Sequence, residues 1–392
     1  MRNGWHMHAI GAICDVVNGG TPKTGVADYW DGPHQWITPA EMGRRSTPYV
    51  GQTERTLTDL GLANSSARPL PPYSVILSSR APIGHLVINT EPMATNQGCK
   101  GLVPGKGIDP KFLYYYLGSI VDLLNDLGTG ATFKELSGGK LKEVTVPVPA
   151  LPEQQRIVGL LDEAFEGIGT AKANAEKNLQ NARALFESHL QSVFTQRGKG
   201  WVEKRFDEVC AITSTLVDPR KKEFLDLTHV GAGNIESKTG VFVDLKTARE
   251  EGLISGKFLF DESMVLYSKI RPYLMKVARP DFEGLCSADM YPLAPIPNVA
   301  TRDYLFHLLL SKHFTDYAIQ GSARAGMPKV NREHLFEFRV WLPEVKKQKQ
   351  LAANLDGLHE ETQRLAHLYE RKLAALEALK KSLLHQAFTG AL

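Results

Sequence analysis

Two long segments of the chain repeat apolar residues at alternating steps of four and three, the spacing of a coiled-coil helix. In the first segment this seam includes Ile157, Leu161, Ile168 and Leu185. In the second it consists of Leu351, Leu355, Leu358, Leu365, Leu376, Leu379 and Leu383. Prolines precede both segments, where a helix tolerates a missing N–H. The pattern predicts two long α-helices that pack together as an antiparallel coiled coil.

The two helical segments are copies of one another. Residues 149–195 align without a gap with residues 343–389, and the identical pairs include Gln154/Gln348, Leu161/Leu355, Asp162/Asp356 and Leu185/Leu379. The preceding segments match more loosely, as in VILSSRAPIG (75–84) and VLYSKIRPYL (265–274). An internal repeat sets the architecture of a chain. It predicts a pseudo-two-fold order of four domains: globular segments at 1–148 and 198–342, and helices at 149–197 and 343–392.

The globular segments have the pattern of a mixed α/β (α+β) fold with short strands. Apolar helical spacing that ends in glycine predicts core helices over residues 112–128 and 304–321. Runs rich in β-branched and aromatic residues predict strands at VILSS, HLVIN, VTVPVP, MVLYSKI and FEFRVWLP. Because the helical copies agree while the globular copies diverge, one scaffold is expected to present two different surfaces.

Composition narrows the functional classes only a little. The 392 residues are 43% hydrophobic and 23% charged, which is ordinary for a globular protein, and the net charge is +3. No apolar run reaches the ~18 residues of a membrane span. The four cysteines form no CxxC pair, so neither a disulfide framework nor a zinc site is expected. Scattered free cysteines favour a reducing compartment, and the expected location is the cytoplasm.

Three short sequences resemble catalytic motifs, but each lacks the other residues that its motif needs. LPPY at 70–73 lacks the polar first residue and the Gly-rich cofactor loop of an amino-methyltransferase. LDEAF at 161–165 has no GxxxxGK[ST] phosphate loop to accompany it, and PDFEG at 280–284 has no following E-x-K. The histidines show no ligand-like spacing. The chain is therefore expected to have no catalytic residue, no metal site and no cofactor of its own.

Basic and amide side chains recur in loops at matching places of the two globular segments. Arg can bond guanine bidentately, Asn and Gln can bond adenine, and Lys mainly neutralises phosphate. A single such residue is usually a solvated surface charge, but the recurrence of SSRAP and SKIRP favours a contact role. The predicted DNA-binding residues are Arg44, Arg45, Ser79, Arg80, Asn96, Gln97, Lys100, Lys134, Lys140, Lys221, Lys222, Lys269, Arg271, Lys276, Arg324, Lys329, Asn331 and Arg332.

The chain resembles the specificity subunit of type I restriction-modification enzymes over nearly its whole length. The first recognition domain of that family and its entry into the spacer helix are similar to NGGTPKTGVADYWDGPHQWIT (18–38), SSRAPIG (78–84), NQG (96–98) and PVPALPEQQRI (147–157). Another version of the domain resembles VLYSKIRPYLMKV (265–277), CSADMYPL (286–293) and RAGMPKVN (324–331). The second helix entry departs from the first, because Lys346 and Lys347 replace its Pro-Glu pair.

The resemblance implies a non-catalytic DNA reader in a host-defence system. Each recognition domain would bind one half of a split, asymmetric target on double-stranded DNA. The paired helices would set the spacer between the halves and dock two methyltransferase (modification) subunits. Partner subunits would supply S-adenosylmethionine-dependent methylation and, in a restriction/translocase subunit, ATP- and Mg-dependent cleavage. Two alternatives remain open: a coiled-coil adaptor that binds proteins without reading DNA sequence, and a stand-alone methyltransferase, against which the missing Gly-rich loop argues.

Overall fold

The computed structural model describes residues 4–80, 82–130, 134–322 and 328–392. The chain forms two compact units, one of Met1–Asn174 with Lys372–Leu392 and the other of Ala175–Arg371. Each unit therefore combines one globular segment with a stretch of both long helices.

The first unit contains three small sheets. Its strands are β1 (His6–Ala9), β2 (Cys14–Asn18), β3 (Trp30–Ile37), β4 (Tyr49–Val50), β5 (Arg55–Leu57), β6 (Val75–Ser78), β7 (Leu86–Asn89), β8 (Met93–Thr95), β9 (Cys99–Pro104) and β10 (Thr145–Val148). They are ordered β2-β9-β6-β7-β4, β5-β3-β8 and β1-β10. The pairs β4–β7 and β3–β8 are parallel, and the others are antiparallel.

Helices pack on the larger and the smaller sheets of this unit and form its cores with them. They are α1 (Ile10–Ile13), α2 (Pro39–Met42), α3 (Asp59–Ala63), α4 (Pro110–Ser119), α5 (Val121–Leu127), α6 (Gly138–Glu143) and the first part of α7 (Leu151–Thr195). Phe112 and Leu117 of α4 are buried with Val75 and Leu77 of β6. The single helix predicted over 112–128 is in fact two, because the backbone leaves the helical region at Ile120.

The second unit repeats this plan, with four strands in the sheet that corresponds to β2-β9-β6-β7-β4 and five in the sheet that corresponds to β5-β3-β8. Its sheets are β12-β20-β17-β18, β13-β16-β19-β14-β15 and β11-β21. The strands are β11 (Val202–Arg205), β12 (Cys210–Ala211), β13 (Leu216–Val217), β14 (Thr228–Val230), β15 (Lys246–Thr247), β16 (Lys257–Phe260), β17 (Val265–Ser268), β18 (Val277–Ala278), β19 (Gly284–Cys286), β20 (Met290–Pro295) and β21 (Arg339–Leu342). The helices are α8 (Arg302–Leu310), α9 (Lys312–Gln320), α10 (Arg332–Glu337) and most of α11 (Val345–Thr389).

The helix predicted over 304–321 is also divided. Ser311 ends α8 and caps α9, since its hydroxyl accepts a hydrogen bond from the Phe314 N–H. A serine that bonds the backbone in this way favours a new helix start over continuation. The predicted mixed α/β class and its duplication are confirmed. Besides the division of these two core helices, the strand predicted at FEFRVWLP starts later, at Arg339, because its first two residues belong to α10.

Within each unit the long helices α7 and α11 pack antiparallel, as predicted. In the first unit Lys172 pairs with Glu377 at 2.6 Å, and Ile157 and Leu161 are buried with Ala387. In the second unit the corresponding contacts involve later residues of α7 and earlier residues of α11. There Arg183 pairs with Glu370 at 2.8 Å, and the rings of Phe186 and His359 lie 4.6 Å apart.

The buried seam of the helices departs from a strict heptad at one place in each copy. Leu185 and Leu379, equivalent positions of the repeat, are 53% and 47% exposed. In the first copy Ala182, Phe186 and Leu190 face the core instead. A straight α-helix has 3.6 residues per turn, so a 3.5-residue pattern drifts by about 20° per heptad. In the first copy this drift accounts for a buried face that passes from Ala182 to Phe186 and Leu190 and leaves Leu185 outside.

Candidate nucleic-acid interface

In the first unit, three of the predicted contact segments meet at the end of strand β6. The Ser79 N–H donates to the Gly98 carbonyl at 2.7 Å, and the Leu136 N–H donates to the Ser79 carbonyl at 2.8 Å. Arg80 and Glu135 then form a single antiparallel bridge. The loop after β6, the NQG turn before β9 and the segment before α6 therefore make one surface, which we call loop cluster 1.

The second unit builds the same junction at the end of β17. The Lys269 N–H donates to the Asp289 carbonyl at 3.1 Å, and the Val330 N–H donates to the Lys269 carbonyl at 2.8 Å. Ile270 and Lys329 form the corresponding isolated bridge. We call this surface loop cluster 2. Its backbone hydrogen bonds match those of loop cluster 1, whereas its side chains are different.

One carboxylate lies between two cations in loop cluster 1. Glu135 is 3.1 Å from Arg80 Nε and 4.0 Å from Lys100 Nζ. Lys100 is only 5% exposed, and burial lowers the pKa of its amine while the charge of Glu135 opposes that shift. A cation that is poorly hydrated gains more from a bound anion than a solvated one does.

Loop cluster 2 has a similar arrangement of charges, although the carboxylate and the cations come from different positions in its loops. Asp289 lies 3.3 Å from Lys329 Nζ and 3.8 Å from Lys269 Nζ. The Lys269 amine also donates to the Ala288 carbonyl and lies 5.1 Å from the Tyr291 ring centroid. Burial, followed by the charge of Lys329, lowers the pKa of Lys269. Each cluster thus pairs two cations with one carboxylate and keeps a surplus positive charge.

Several other predicted residues have structural partners in the free chain. Arg44 pairs with Glu54 at 2.6 Å and Arg45 with Glu41 at 2.5 Å. Asn96 closes the NQG turn by accepting from the Gly98 N–H. The remaining donors and caps bind backbone groups: Lys140 with the Leu127 carbonyl, Lys276 with the Ala232 carbonyl, and Asn331 with the His334 N–H.

The rest of the predicted set divides by exposure. Ser79 is fully buried, so its hydroxyl lies in the interior of the free chain and not on the surface. Arg324 lies outside the described residues. The exposed members of the set, apart from those already placed, are Gln97, Lys134, Lys221, Lys222, Arg271 and Arg332.

The NGG sequence near the N-terminus is explained by close backbone packing at loop cluster 1. A Cβ added to Gly19 would lie 1.9 Å from the Asn96 carbonyl oxygen, and one added to Gly20 would lie 2.3 Å from the Ala67 nitrogen. Only glycine permits this approach. The two glycines therefore position the turn that carries Asn96 and Gln97.

One basic residue of this surface was absent from the sequence prediction. Arg55, on strand β5, is exposed, and its guanidinium carbon lies 3.6 Å from the Trp30 ring centroid. Strand β3 supplies both Trp30 and Trp36, and a register shift between Trp30 and His34 brings the two indoles to 5.1 Å from one another. The two tryptophans were a usable signal for a stacking site, but the partner residue comes from another strand.

The described residues contain no group of three or more His, Cys, Asp or Glu side chains placed to hold a metal ion. The cysteines are buried, and burial raises the pKa of Cys14, Cys99 and Cys286 to about 12. These thiols are protonated at neutral pH and are poor nucleophiles. Among the described helices, none combines the length and apolar character needed to cross a membrane.

Comparison with known families identifies the class of protein to which this duplicated fold corresponds. The profile of the type I restriction modification DNA specificity domain matches the chain twice, over residues 2–179 and 198–373. The chain therefore belongs to the type I restriction-modification DNA specificity family, as the resemblance had indicated.

Individual relatives agree with this assignment. The type I restriction enzyme EcoDI specificity subunit of Escherichia coli is 29% identical over 318 residues, covering 73% of this chain and 70% of the relative. The MjaIX specificity subunit of Methanocaldococcus jannaschii is 30% identical over 238 residues, covering 57% and 55%. The crystal structure of the HsdS subunit from Thermoanaerobacter tengcongensis has the same fold, with a TM-score of 0.66 at 16% identity and coverage of 100% and 98%. A chain from a structural study of type I R-M complex assembly and conformational transition gives a TM-score of 0.76 at 16% identity, with coverage of 100% and 99%.

Proposed function

We propose that the chain is the DNA sequence-recognition subunit of a type I restriction-modification complex. Its first globular segment would read one half of a bipartite, asymmetric target, and its second segment would read the other half. The observation that carries this proposal is the pair of loop clusters, which share their backbone hydrogen bonds and differ in their side chains. A common frame with different side chains is what two readers of different sequences require.

The charge of the loop clusters supports a polyanion as the ligand. Arg80 and Lys100 share the carboxylate of Glu135, and Lys269 and Lys329 share that of Asp289. A phosphate group approaching either cluster would meet more positive than negative charge, and DNA binding gains from the release of counterions when such cations neutralise phosphates. Recognition of the bases would then rest on the exposed side chains around each cluster.

We further propose that this chain performs no catalysis and directs partner subunits. Two modification subunits, docked on the paired helices α7 and α11, would methylate adenine with S-adenosylmethionine. A restriction/translocase subunit would supply ATP- and Mg-dependent cleavage in a host defence complex in the cytoplasm. The helices would also fix the number of base pairs between the two half-sites.

The test is to sequence methylated adenines in a host that lacks other adenine methylation and carries this chain with its modification subunit. We expect one two-part motif with a fixed nonspecific gap. A host carrying the modification subunit alone is the matched control and should show no such motif. Absence of a motif in both hosts, with DNA binding that is insensitive to sequence, would favour a protein-binding adaptor instead.

A further inference from the structure

Arg55 is held against two tryptophans at one edge of the first recognition domain. Its guanidinium carbon lies 3.6 Å from the ring centroid of Trp30 and 5.5 Å from that of Trp36. The two indoles are 5.1 Å apart at 77° to one another and are nearly buried, with 8% and 2% exposure. The Arg55 side chain is thus exposed, while the two indoles against which it lies are almost fully buried.

Burial holds both indoles beneath Arg55, and hydrogen bonds also fix Trp36. Arg55 of β5 lies directly opposite Trp36 of β3. Trp36 is anchored at both ends, since its backbone N–H donates to Thr53 Oγ1 at 3.0 Å and its indole N–H donates to the Gly20 carbonyl at 2.9 Å. A guanidinium that stacks on a fixed indole loses little further freedom when it binds a ligand.

Arg55 differs from the other arginines of this surface in its partners. Arg44, Arg45 and Arg80 each lie within 3.1 Å of a glutamate oxygen. Over the described part of the chain, no carboxylate lies within 4.0 Å of Arg55, and no acceptor is hydrogen-bonded to its guanidinium. Stacking uses the flat face of the group, so the N–H donors along its edge remain available.

Arg55 also lies at the same end of the small sheet as loop cluster 1. Strands β3 and β8 are parallel, and their carboxyl ends lead into Pro39 and Asn96. The turn after Asn96 contacts both neighbours, because a Cβ on Gly98 would be 3.3 Å from Pro39 Cγ and 3.7 Å from Arg80 Cβ. Arg55 pairs with the penultimate residue of β3, so it sits at this end as well.

We propose that Arg55 is a specificity-determining residue of the first recognition domain and that it reads a guanine in that half-site. The inference rests on the proposed function. An arginine edge with its donors free matches the O6 and N7 acceptors of guanine in the major groove. Stacking on Trp30 orients that edge before DNA arrives, and no ion pair with a carboxylate of the described residues has to break.

The second recognition domain lacks this device at the corresponding place. Strand β14 runs parallel to β19 as β3 does to β8, and β15 pairs with β14 as β5 does with β3. In this register Lys246 faces His229, which is bound to Glu251 at 2.8 Å. A lysine is a point charge without a bidentate edge. Lys246 is therefore the matched control position.

The test uses the complex of this chain with its modification subunit and compares Arg55→Ala, Arg55→Lys and Lys246→Ala. The methylated motif is determined by sequencing, and affinity is measured on DNA with each base substituted in turn. For Arg55→Ala we expect one guanine of one half-site to lose its requirement, with a 5- to 150-fold drop in discrimination, equivalent to the ~1–3 kcal/mol of a bidentate contact. Arg55→Lys should lose the same discrimination while keeping the salt dependence of binding, and Lys246→Ala should leave that half-site unchanged.

Three outcomes overturn the inference. Arg55→Ala could retain every base requirement, or it could weaken binding to all sequences equally, as a phosphate contact would. The relaxed position could also prove not to be guanine. If Arg55→Ala does not fold, Arg55→Lys preserves length and charge and carries the same expectation. Failure of the proposed function is distinguishable, because the unaltered complex would then show no bipartite motif at all.

Discussion

Gln154 and Gln348, which are equivalent residues of the duplication, hold the same backbone groups in the two units. Gln154 donates to the carbonyls of Pro149 and Gly107, both at 2.9 Å, and accepts from the Asp109 N–H at 2.9 Å. Gln348 repeats these contacts on its own unit. Both side chains are fully buried. Each glutamine therefore ties the start of a long helix to the loop that begins a core helix of the globular segment.

We predict that Gln154→Ala lowers the free energy of unfolding by about 3 kcal/mol, because three buried backbone groups lose their partner and each costs ~1–3 kcal/mol, partly relieved by water. Gln348→Ala should have a similar effect. The neighbouring Gln155→Ala, at an exposed position, is the control and should change stability by less than about 0.5 kcal/mol. Urea unfolding measures the free energy of unfolding of all three variants. Equal stability of Gln154→Ala and Gln155→Ala would contradict the role given to the Gln154 hydrogen bonds.

Another pair of equivalent residues, Asp162 and Asp356, shows how the two units diverge. Asp162 accepts from Lys111 and Tyr115 in the first unit, whereas its equivalent Asp356 accepts from Arg279 and His307 in the second. Burial alone would raise the pKa of Asp356, but the hydrogen bonds from His307 and Arg279 hold it well below its usual range. Burial also lowers the pKa of His307, which is 1% exposed.

This difference predicts that acid destabilises the second unit through His307. Because the folded-state pKa lies below the unfolded value of about 6.5, the unfolded chain takes up the proton first as the pH falls. The stability that neutral His307 contributes is present above pH 6.5 and is lost progressively as the pH falls below that value. His307→Gln, which can still donate to Asp356, should reduce this loss. The check is thermal unfolding between pH 7.5 and 5.5, with exposed His367→Gln as the control.

Another stability prediction concerns the apolar seam of helix α7. Leu161 is 1% exposed and belongs to the first core, whereas Leu185 is 53% exposed. Leu161→Ala should cost about 2–5 kcal/mol because it leaves a cavity, and Leu185→Ala should cost less than about 0.5 kcal/mol. Denaturant unfolding of the two variants compares them directly. A large loss for Leu185→Ala would mean that the strict heptad, and not the drifted seam, describes the packing.

The helices and the duplication could be predicted because both are periodic or repeated along the chain. The sequence placed Arg80 and Asn96, and likewise Lys269 and Lys329, in loops at matching places of the two copies, but it did not predict that these loops meet, because their contacts join distant segments. The exposure of Leu185 could not be predicted in this way, because a fixed repeat of 3.5 residues per turn does not include the drift of a straight helix with 3.6 residues per turn. Arg55 was missed because its contact depends on a non-local strand pair.

The register of that strand pair is itself irregular. Strands β3 and β5 shift register between Trp30 and His34, so Leu57 faces both residues. A bulge of this kind changes which side chains meet and leaves no reliable mark in the sequence. The burial of Ser79 is hidden for a related reason, because it depends on a backbone bond to Gly98 across the loop cluster.

For DNA binding, the double substitution Lys269→Ala with Arg271→Ala should weaken affinity and spare assembly with the modification subunit. Lys269 belongs to loop cluster 2, and Arg271 is exposed beside it in a left-handed backbone conformation with φ of 50°. Loss of a specific contact should cost ~1–3 kcal/mol, and loss of a phosphate contact should make the salt slope shallower by about 1. Lys312→Ala, at an exposed position at the start of α9, is the control. Unchanged DNA affinity of the assembled double variant would remove these residues from the interface.

The last prediction tests whether the paired helices set the gap between half-sites. Removing residues 171–177 from α7 and 365–371 from α11 deletes one heptad from each helix and keeps the apolar faces in phase. Each helix becomes about 10 Å shorter at 1.5 Å per residue, which corresponds to about three base pairs at 3.4 Å each. We expect both half-site sequences to stay the same while the preferred gap falls by about two or three base pairs.

The readout is gap preference across a DNA library in which only the spacer length varies, because a change in rotation around the duplex can weaken binding at every length. Substituting alanine at exposed positions within the same two stretches, without deletion, is the matched control and should keep the original gap. If the shortened chain folds and still prefers that gap, the helices only hold partner subunits. The spacing would then be set within the recognition domains or by partner subunits.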